Sequence, residues 1–391
     1  MPSRLRSLSA RLVAVLAGAV LVACAGAGTD GATVSDGANP TPLDGPYGML
    51  APSRGAWFGV SIDWSEDSLA DYAGRLGHRP AVAVSFTSFP MSAQEEVWLD
   101  QAVDQAKGEG SALLLTLEPR HGLEQITPDA VSGLAERLAG CNAQGVDVYL
   151  RFAHEMNGSW YAWGQQPTAY VAAFRAVADA IHGTARRTAM MWAPSYGGGY
   201  PFAGGRYQAK PGSADARALD TDGDGTLTQA DDPYLPYWPG KDYVDWVGMS
   251  LYHWGDAYPW GENEIPEAGK FLDLMRGTYD GLGGDESAVP DFYAIYGEGM
   301  HLPVAITETA ALYVPGRGGD SELAVKSAWW DQVFAPGNSE ALPWLKMVNW
   351  FEWRKDEREA GGVVDWTATT TTSLRTAFVA ALPDWLDYAP G

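Results

Sequence analysis

Two glutamates in this sequence lie in settings that favour paired acid and base chemistry. Glu155 belongs to the segment RFAHEMNGSWYAWG (151–164), which crowds a histidine, an asparagine and several aromatic residues around the carboxyl, and Glu308 belongs to VAITETA (304–310). A protonated carboxyl beside an ionised one can hydrolyse a glycosidic bond, because one donates to the leaving oxygen while the other attacks or directs water. A single such glutamate is more often a salt-bridge partner, but two in dense polar and aromatic surroundings favour catalysis.

The elements that must position this pair are eight short apolar runs, which alternate with segments of helical periodicity. The runs span residues 56–64, 81–89, 112–119, 146–155, 188–195, 244–252, 303–310 and 345–353. Alternating strands and helices predict a parallel sheet, and eight strands predict its closure into a (β/α)8 (TIM) barrel. We therefore expect one catalytic domain over residues 51–391.

Chemistry in such a barrel is expected where the strands end and the following loops begin. Glu155 would end the fourth strand and Glu308 the seventh, so the two would face each other across the barrel mouth. Retention of anomeric configuration would place their carboxyls roughly 5 to 5.5 Å apart. The other strand ends add aromatic and polar side chains, among them Trp64, Phe86, Phe89, Glu118, Asn157, Trp192, Tyr196, His253 and Trp353.

Tryptophan is abundant, with 17 residues in the chain, which suits a cleft that stacks flat apolar faces against a sugar chain. Plain core packing is the better interpretation for Trp57, Trp246 and Trp329. Predicted loop positions favour ligand contact for another four, namely Trp160, Trp163, Trp254 and Trp350.

The segment RFAHEMNGSWYAWG resembles the fourth-strand signature of glycoside hydrolase family 26, the β-mannanase family, in which His precedes the acid/base Glu. VAITETA is similar to the family's seventh-strand nucleophile segment. YWPGKDYVDWVGMSLY, LTLEP and MMWAPS resemble its strands 6, 3 and 5. The resemblance covers nearly all of residues 55–360.

This resemblance implies a role for each matching residue. Glu155 would be the general acid/base and Glu308 the nucleophile. His154 would position the reacting groups, and Tyr252 would hydrogen bond to the nucleophile. Arg151 would either orient carboxylates by bidentate contact or make a simple salt bridge inside the barrel. Together with these, the expected substrate-binding set comprises Trp160 and Trp350 at the scissile bond, and Trp163 and Trp254 nearby.

The implied activity is that of a retaining endo-β-glycanase, with β-1,4-mannan as the favoured substrate and no organic cofactor. The same resemblance permits β-1,3-1,4-glucan, β-1,3-xylan or an exopolysaccharide of the host. A second class of function is a surface polysaccharide-binding protein without turnover. The presence of both glutamates with His154 and Tyr252 argues against that class, because binding alone requires no such set.

A second motif, DTDGDGTLTQAD (220–231), matches the twelve-residue calcium loop. Asp220, Asp222 and Asp224 occupy positions 1, 3 and 5, and Gly225 occupies the turn. The remaining expected ligands are Thr226 through its carbonyl, Thr228 at position 9 and Asp231 at position 12. No good helix precedes the loop and Pro233 follows it. We therefore predict a structural Ca²⁺ clamp in an insertion (212–240) between strands 5 and 6, with an unoccupied acidic turn as the alternative.

The first 23 residues are predicted to be a lipoprotein signal peptide. Three arginines precede the apolar run LVAVLAGAVLVA, which is too short to span a bilayer, and LVAC (21–24) resembles a lipobox. Cleavage there would leave a lipid on Cys24 and anchor the exported protein to the outer face of the bacterial cell membrane; an ordinary secretory signal is the alternative. Residues 24–50 lack periodicity and are expected to form a flexible tether.

The net charge limits the classes of binding partner, and the cysteine count limits the possible disulfides. The formal net charge is −23, or −26 without the three leader arginines, which disfavours nucleic acid and anionic lipid surfaces. After removal of the leader and modification of Cys24, only Cys141 remains, so no intrachain disulfide is available. We expect a monomer whose partner is a β-linked polysaccharide.

Overall fold

The structure is a computed structural model, and it describes residues 50–390. The predicted signal peptide (1–23), Cys24 and the tether up to residue 49 lie outside the described residues. Leu50, the last residue of the predicted tether, is buried, and its carbonyl accepts hydrogen bonds from Trp57 Nε1 (2.9 Å) and the Tyr149 hydroxyl. Leu50 therefore packs against the barrel and belongs to the folded domain.

Eight parallel strands close into a barrel. Their bounds are Ala56–Ile62 (β1), Val82–Ser88 (β2), Ala112–Glu118 (β3), Val148–Phe152 (β4), Thr188–Trp192 (β5), Trp246–Ser250 (β6), Val304–Thr309 (β7) and Leu345–Glu352 (β8). Each pairs with its neighbours in chain order, and β8 returns to pair with β1 from Trp57 opposite Met347 to Ile62 opposite Glu352. The prediction of a (β/α)8 barrel is confirmed.

Helices connect the strands on the outside of the barrel. They are Leu69–Leu76 (α1), Ala93–Glu109 (α2), Pro128–Ala143 (α3), Pro167–Thr184 (α4), Ala214–Leu219 (α5), Lys270–Met275 (α6), Glu322–Val333 (α7), Asn338–Ala341 (α8) and Thr372–Ala381 (α9). Local sequence sets several of their ends: Ser92 and Glu95 form a capping box at the start of α2, and Gly110 ends it in the left-handed conformation. Between residues 50 and 390 no helix has both the length and the apolar character needed to cross a membrane.

Both faces of the strands are buried, which explains why the strand segments are nearly continuous apolar runs. One face of each strand points into the barrel, where Tyr149, Met191, Trp246, Ala305 and Met347 belong to one cluster. The opposite face packs against the helices in a second, larger cluster. This alternation decides which residues near the strand ends can reach the barrel mouth.

The longest connections follow the later strands. The β5–β6 connection holds α5 and the segment 220–231, so the predicted insertion lies between these strands. Contrary to the sequence-based expectation, a six-residue helix, α5, ends immediately before Asp220. After β8, Arg354–Glu357 and Gly362–Asp365 form an antiparallel hairpin.

The loops that follow β6, β7 and β8 are joined to one another. Arg317 Nη1, in the β7 loop, donates to the carbonyls of Gly261 in the β6 loop (2.7 Å) and Ala360 in the hairpin after β8 (3.0 Å). Asn263 is buried, donates to the Val314 carbonyl (3.1 Å) and accepts from the Val314 N–H (2.8 Å). These contacts form one wall along that side of the mouth.

The seam between β8 and β1 is covered by α9. The Phe378 ring of α9 is fully buried, with its centroid 5.0 Å from Trp350, 5.2 Å from Trp330 and 6.3 Å from Phe58. Because β8, α7 and β1 all contribute to this cluster, the carboxyl-terminal helix packs across the barrel closure.

Replacing Phe378 with alanine should lower the free energy of unfolding by about 3–5 kcal/mol, because it leaves a cavity among rigid aromatic rings. Denaturant-induced unfolding measures the change. Val97→Ala, at a side chain of α2 that is 47% exposed, is the control and should change stability by less than about 0.5 kcal/mol. Equal effects of the two substitutions would contradict a closing role for α9.

Candidate active site

A buried cation lies at the centre of the barrel mouth. Strand alternation in β4 turns Arg151 inward, and the side chain has no exposed surface. A charge in that position must be paired: Nη1 donates to Glu308 Oε1, and Nη2 donates to Ser250 Oγ (2.7 Å). Arg151 thus orients Glu308 through one carboxylate oxygen, not through the bidentate contact that the motif suggested.

Glu308 reaches the interior because β7 contains a bulge. Regular alternation from Ile306, which faces the helices, would turn Glu308 outward. The register with β6 shifts by one residue between Ile306 and Glu308, so Glu308 points inward after Thr307. Thr309 then faces α7, where its hydroxyl accepts from Trp329 Nε1 (2.9 Å).

Glu155 is held by a sharp turn after β4. Ala153 and Glu155 have φ values of 46° and 52°, a left-handed conformation that non-glycine residues rarely adopt. The turn is fixed by the Glu155 N–H, which donates to the Ala193 carbonyl (2.9 Å), and by Trp163 Nε1, which donates to the His154 carbonyl (2.7 Å). The dense polar and aromatic content of 151–164 therefore serves to hold this turn and the carboxyl that it carries.

The two glutamates share one space. One carboxylate oxygen of Glu155, one of Glu308 and one ring nitrogen of His154 lie within 4.8 Å of one another. This separation is on the scale of the about 5 to 5.5 Å between carboxyls of retaining glycosidases, and is short of the about 6.5–9.5 Å of inverting ones. A single reacting centre can therefore contact both acids.

The environments of the two carboxyls differ. Burial and then the nearby charge of Glu308 raise the pKa of Glu155, while Arg151 opposes the shift. Trp160 Nε1 also donates to Glu155 Oε2 (3.1 Å). Glu308 accepts from a cation, Arg151, and from the Tyr252 hydroxyl (2.7 Å). The environment of Glu155 favours its protonated form, while Glu308 is held between a guanidinium and a hydroxyl donor.

His154 is a buried neutral group. Burial, followed by the charge of Arg151, places its pKa well below the ordinary value for histidine. Its ring lies 5.0 Å from Tyr161 and 5.8 Å from Phe86, and Nδ1 has no hydrogen-bond partner among residues 50–390. The side chain can therefore offer a neutral imidazole to a ligand or a water at the mouth.

Several predicted sugar-contacting aromatics lie at the rim of the mouth. Trp160 is 39% exposed. Tyr252 and Trp254 are half-buried, with their rings 6.2 Å apart, and Trp254 packs edge-on against Trp366 at 5.0 Å. These positions leave indole and phenol surface next to the paired acids.

Two predicted contacts require correction, because Trp163 and Trp350 are buried away from the cleft. Trp163 is 1% exposed and stacks on Tyr161 at 4.4 Å, so it supports the turn that carries Glu155. Trp350 has no exposed surface and packs between Trp330 and Phe378 on the helix side of β8. Its neighbours along the strand point inward, which places Trp350 outward.

Sequence reasoning placed Trp353 at the end of β8 but missed Phe351, the aromatic residue of β8 that faces the mouth. Phe351 points inward and stacks on half-buried Trp353 at 5.8 Å, while Trp353 Nε1 donates to Ser61 Oγ on β1 (3.1 Å). Counting the alternation of β8 from Met347, which lies inside the barrel, would have selected Phe351 over Trp350.

The predicted calcium loop has the features that a cation requires. One carboxylate oxygen from each of Asp220, Asp222 and Asp224 lies within 4.8 Å of the others, a spread that fits an ion at ligand distances of about 2.3–2.6 Å. Asp220 Oδ2 accepts from the Gly225 N–H (2.9 Å), while Asp220 Oδ1 is buried and has no partner within residues 50–390. Gly225 has a φ of +89°, which suits the turn glycine.

Thr228 and Asp231, the predicted ligands at positions 9 and 12 of the loop, accept hydrogen bonds from the backbone of the loop. Asp231 is buried, and its two oxygens accept from the backbone N–H groups of Thr221 (2.6 Å) and Thr228 (2.9 Å). Thr228 Oγ1 accepts from the Ala230 N–H (3.1 Å). Asp231 therefore closes the loop through backbone contacts. The donor set of the first five positions fits Ca²⁺, and Thr226 lies next to that set in sequence.

Comparisons with known proteins match part of the chain to one family model and to one curated protein. Residues 112–214 match the family model described as Glycosyl hydrolase family 26, a range that includes Glu155. Over 219 residues the chain is 26% identical to Endoglucanase H of Acetivibrio thermocellus, an alignment that covers 53% of this chain and 20% of that protein. The aligned part thus spans about a fifth of the length of this curated relative.

Solved structures share the fold. GH26C from a Muricauda species superposes with a TM-score of 0.55 at 13% identity, covering 86% of this chain and 87% of that one. A modular endo-beta-1,4-mannanase from Cellulomonas fimi gives a TM-score of 0.55 at 15% identity, covering 87% of this chain and 74% of that one. At these identities the likeness is one of fold.

The closed (β/α)8 barrel, the two glutamates at its mouth and these partial matches are features that the chain shares with glycoside hydrolases. The family-model match is confined to residues 112–214, so it records a likeness to glycosyl hydrolase family 26 over that part of the chain.

We expect the pKa of Glu155 to fall in a Glu308→Gln variant, because the substitution removes a like charge and leaves the Arg151 charge uncompensated. The carboxyl shift in ¹³C NMR of glutamate-labelled protein follows this titration. In Glu118→Gln, which alters another buried strand-end carboxyl, the pKa of Glu155 should move less. An unchanged or higher Glu155 pKa in Glu308→Gln would show that the two groups are not electrostatically coupled.

Proposed function

We propose that the protein is a retaining endo-β-glycanase that hydrolyses β-1,4-mannan. The observation that carries this proposal is the close approach of Glu155 and Glu308, whose nearest oxygens lie within 4.8 Å. That gap accommodates the anomeric carbon and its leaving oxygen, but leaves little room for an inserted water of the kind that an inverting enzyme uses. Direct attack by a carboxylate is therefore the favoured chemistry.

In the first step, the Glu308 carboxylate attacks the anomeric carbon. The bond from that carbon to the leaving oxygen breaks, and Glu155 transfers its proton to this oxygen. The raised pKa of Glu155 keeps the proton available before attack. Contacts from Arg151 and Tyr252 hold Glu308 in place and restrict its rotation. The product of this step is a covalent glycosyl-enzyme ester.

In the second step, the ionised Glu155 accepts a proton from a water molecule, and the resulting oxygen attacks the anomeric carbon. The ester bond to Glu308 breaks, and the sugar leaves with the configuration that it had at the start. As the glycosyl group neutralises Glu308, the like charge that raised the pKa of Glu155 disappears, which favours its new role as base.

Mannan is the favoured substrate because the Cellulomonas fimi neighbour is an endo-beta-1,4-mannanase and because the sequence motifs resemble the β-mannanase family. Endoglucanase H is named as an endoglucanase, which keeps β-1,3-1,4-glucan as an alternative alongside β-1,3-xylan and a host exopolysaccharide. Exposed aromatic surface at Trp160 and at Tyr258, which is 77% exposed, supports binding of an extended chain.

We also propose that the enzyme acts outside the cell, anchored through a lipid on Cys24. The three leader arginines, the short apolar run and the LVAC segment support this proposal. A polymeric substrate is consistent with such a location.

For the loop 220–231 we propose a structural Ca²⁺ ion held by Asp220, Asp222 and Asp224. The ion would supply the positive charge that three converging carboxylates otherwise lack, and would take up the unpartnered Asp220 Oδ1. The two glutamates at the mouth suffice for bond cleavage, so the ion would act on stability.

The proposed activity is tested with mannan, lichenan and β-1,3-xylan, assayed for new reducing ends and for the first anomer released in ¹H NMR. We expect mannan to be cleaved best, with the β-anomer appearing first. Glu308→Gln should lower kcat at least about a thousandfold, because it removes the nucleophile. Glu298→Gln is the matched control, because Glu298 is half-buried in the π-helical turn Tyr293–Glu298, which precedes β7 and therefore lies at the end of the barrel opposite the mouth. Near-normal turnover by Glu308→Gln, or the α-anomer appearing first, would refute the mechanism.

Calcium should bind with measurable heat in calorimetric titration and should raise the thermal midpoint relative to protein in chelator. A hundredfold excess over Kd corresponds to about 2.7 kcal/mol of stabilisation. Asp220→Asn should reduce both effects, while Asp242→Asn, an exposed aspartate outside the loop, should leave them unchanged. Absence of heat and of any thermal shift in the unsubstituted protein would rule the site out.

A further inference from the structure

The segment 365–369, which follows the hairpin after β8, is held by two buried charged side chains. Glu352 at the end of β8 is 5% exposed, and Lys326 on α7 has no exposed surface. Neither side chain takes part in the proposed mechanism. Burying a charge is costly unless hydrogen bonds compensate it, so the partners of these two groups indicate which part of the chain they stabilise.

The Glu352 carboxylate accepts three hydrogen bonds from the segment. Its Oε2 accepts from the Ala368 N–H (2.8 Å). Its Oε1 accepts from the N–H (2.8 Å) and from the hydroxyl (2.6 Å) of Thr369. Because two of these donors are backbone groups, the carboxylate fixes the path of the main chain at residues 368 and 369.

The Lys326 ammonium reaches the same segment from α7. It donates to the Thr367 carbonyl (2.6 Å) and to Asp365 Oδ1 (3.1 Å). Glu322 Oε1, one turn earlier on the helix, is its third acceptor (2.6 Å). The ammonium therefore fixes the residues on both sides of Trp366.

Trp366 packs behind the phenol that contacts the proposed nucleophile. Its side chain is 1% exposed, and its ring centroid lies 5.2 Å from Tyr252 and 5.0 Å from Trp254. Its backbone N–H donates to the Trp353 carbonyl (2.9 Å). Tyr252 in turn donates to Glu308 Oε2 (2.7 Å). An indole that is enclosed in this way contacts the tyrosine without reaching a bound sugar.

The Tyr252 ring is confined by more than one aromatic neighbour. Phe351 lies 5.7 Å away at an interplanar angle of 87°, and Trp366 is tilted by 58° against it. Rigid rings at these distances restrict the side-chain torsions of the phenol, because close-packed neighbours leave no room for another rotamer. The hydroxyl is therefore kept where it can donate to the nucleophile.

We propose that Trp366 is a positioning residue, which holds the Tyr252 hydroxyl on Glu308. The buried charges of Glu352 and Lys326 fix the backbone that carries the indole. Trp366 acts through the tyrosine and does not contact the substrate. The inference rests on the proposed glycanase function, because it concerns the nucleophile of that reaction.

The test is a double-mutant cycle between positions 366 and 252, with kcat measured on the glycan that is hydrolysed best. Trp366→Leu should lower kcat about tenfold, and Trp366→Phe, which keeps a smaller ring, about threefold, because a displaced phenol bonds more weakly to the nucleophile. When either substitution is combined with Tyr252→Phe, which removes the hydroxyl, it should cause no further loss. Trp366→Phe keeps the cycle available if Trp366→Leu does not fold.

The control for this cycle is Trp344→Leu. Trp344 is half-buried and immediately precedes β8, at the end of the barrel opposite the mouth, so its replacement should leave kcat unchanged. Equal losses of kcat with and without the Tyr252 hydroxyl would overturn the proposal, because Trp366 would then act by another route. An unchanged kcat in both Trp366 variants would also overturn it.

A measurement without turnover separates this inference from the proposed activity. In protein with ¹³C-labelled tyrosine rings, the Tyr252 signals are those that disappear in Tyr252→Phe, and their line shapes report the rate of ring flips. Flips should become faster in Trp366→Leu and stay unchanged in Trp344→Leu. Faster flips in a protein that hydrolyses no glycan support the positioning role, and only the proposed function then fails. An unchanged flip rate in Trp366→Leu overturns the inference, whether or not a glycan is hydrolysed.

Discussion

The contact between Arg151 and Glu308 is the constraint on which the rest of the mouth depends. A guanidinium without exposed surface requires an acceptor, and Glu308 is the carboxylate that the bulge in β7 delivers to it. Removing one partner of a buried pair typically costs about 3–5 kcal/mol, because the other charge is left uncompensated. The residue proposed to attack the substrate is therefore also required by the fold. Glutamine at position 308 keeps an acceptor oxygen, whereas alanine would combine loss of chemistry with loss of stability.

This contact also separates the properties of two chemically identical groups. Glu308 lies between Arg151 and the Tyr252 hydroxyl, while Glu155 lies beside an indole N–H and faces the charge of Glu308. Burial without a direct cationic partner favours the protonated form of Glu155. The proposed roles of acid and nucleophile thus follow from which glutamate contacts Arg151. Residue type, which is the same for both glutamates, and position along a strand would not assign these roles alone.

The sequence predicts the barrel well because each strand is buried on both faces and leaves an unbroken apolar run. It also locates both glutamates, since strand ends coincide with the ends of those runs. It does not show which way a side chain points after a bulge or at the end of a long strand. Glu308 faces inward only through the register shift in β7, and Trp350 faces outward where Phe351 faces inward. Trp366, which packs on Tyr252, follows the last predicted strand in a segment that has no periodicity to interpret.

The links made by Arg317 and Asn263 have a consequence for how such a barrel can diversify. Three successive loops share hydrogen bonds through these two side chains, and several of the acceptors are backbone carbonyls. A change in the length of one loop therefore displaces groups that the other two require. Grafting of a single loop from a relative would leave buried amides unmatched, whereas exchange of the whole wall as a unit would preserve them. On this side of the barrel, a change of substrate preference is therefore easier to reach by exchanging the three loops together than by altering one loop at a time.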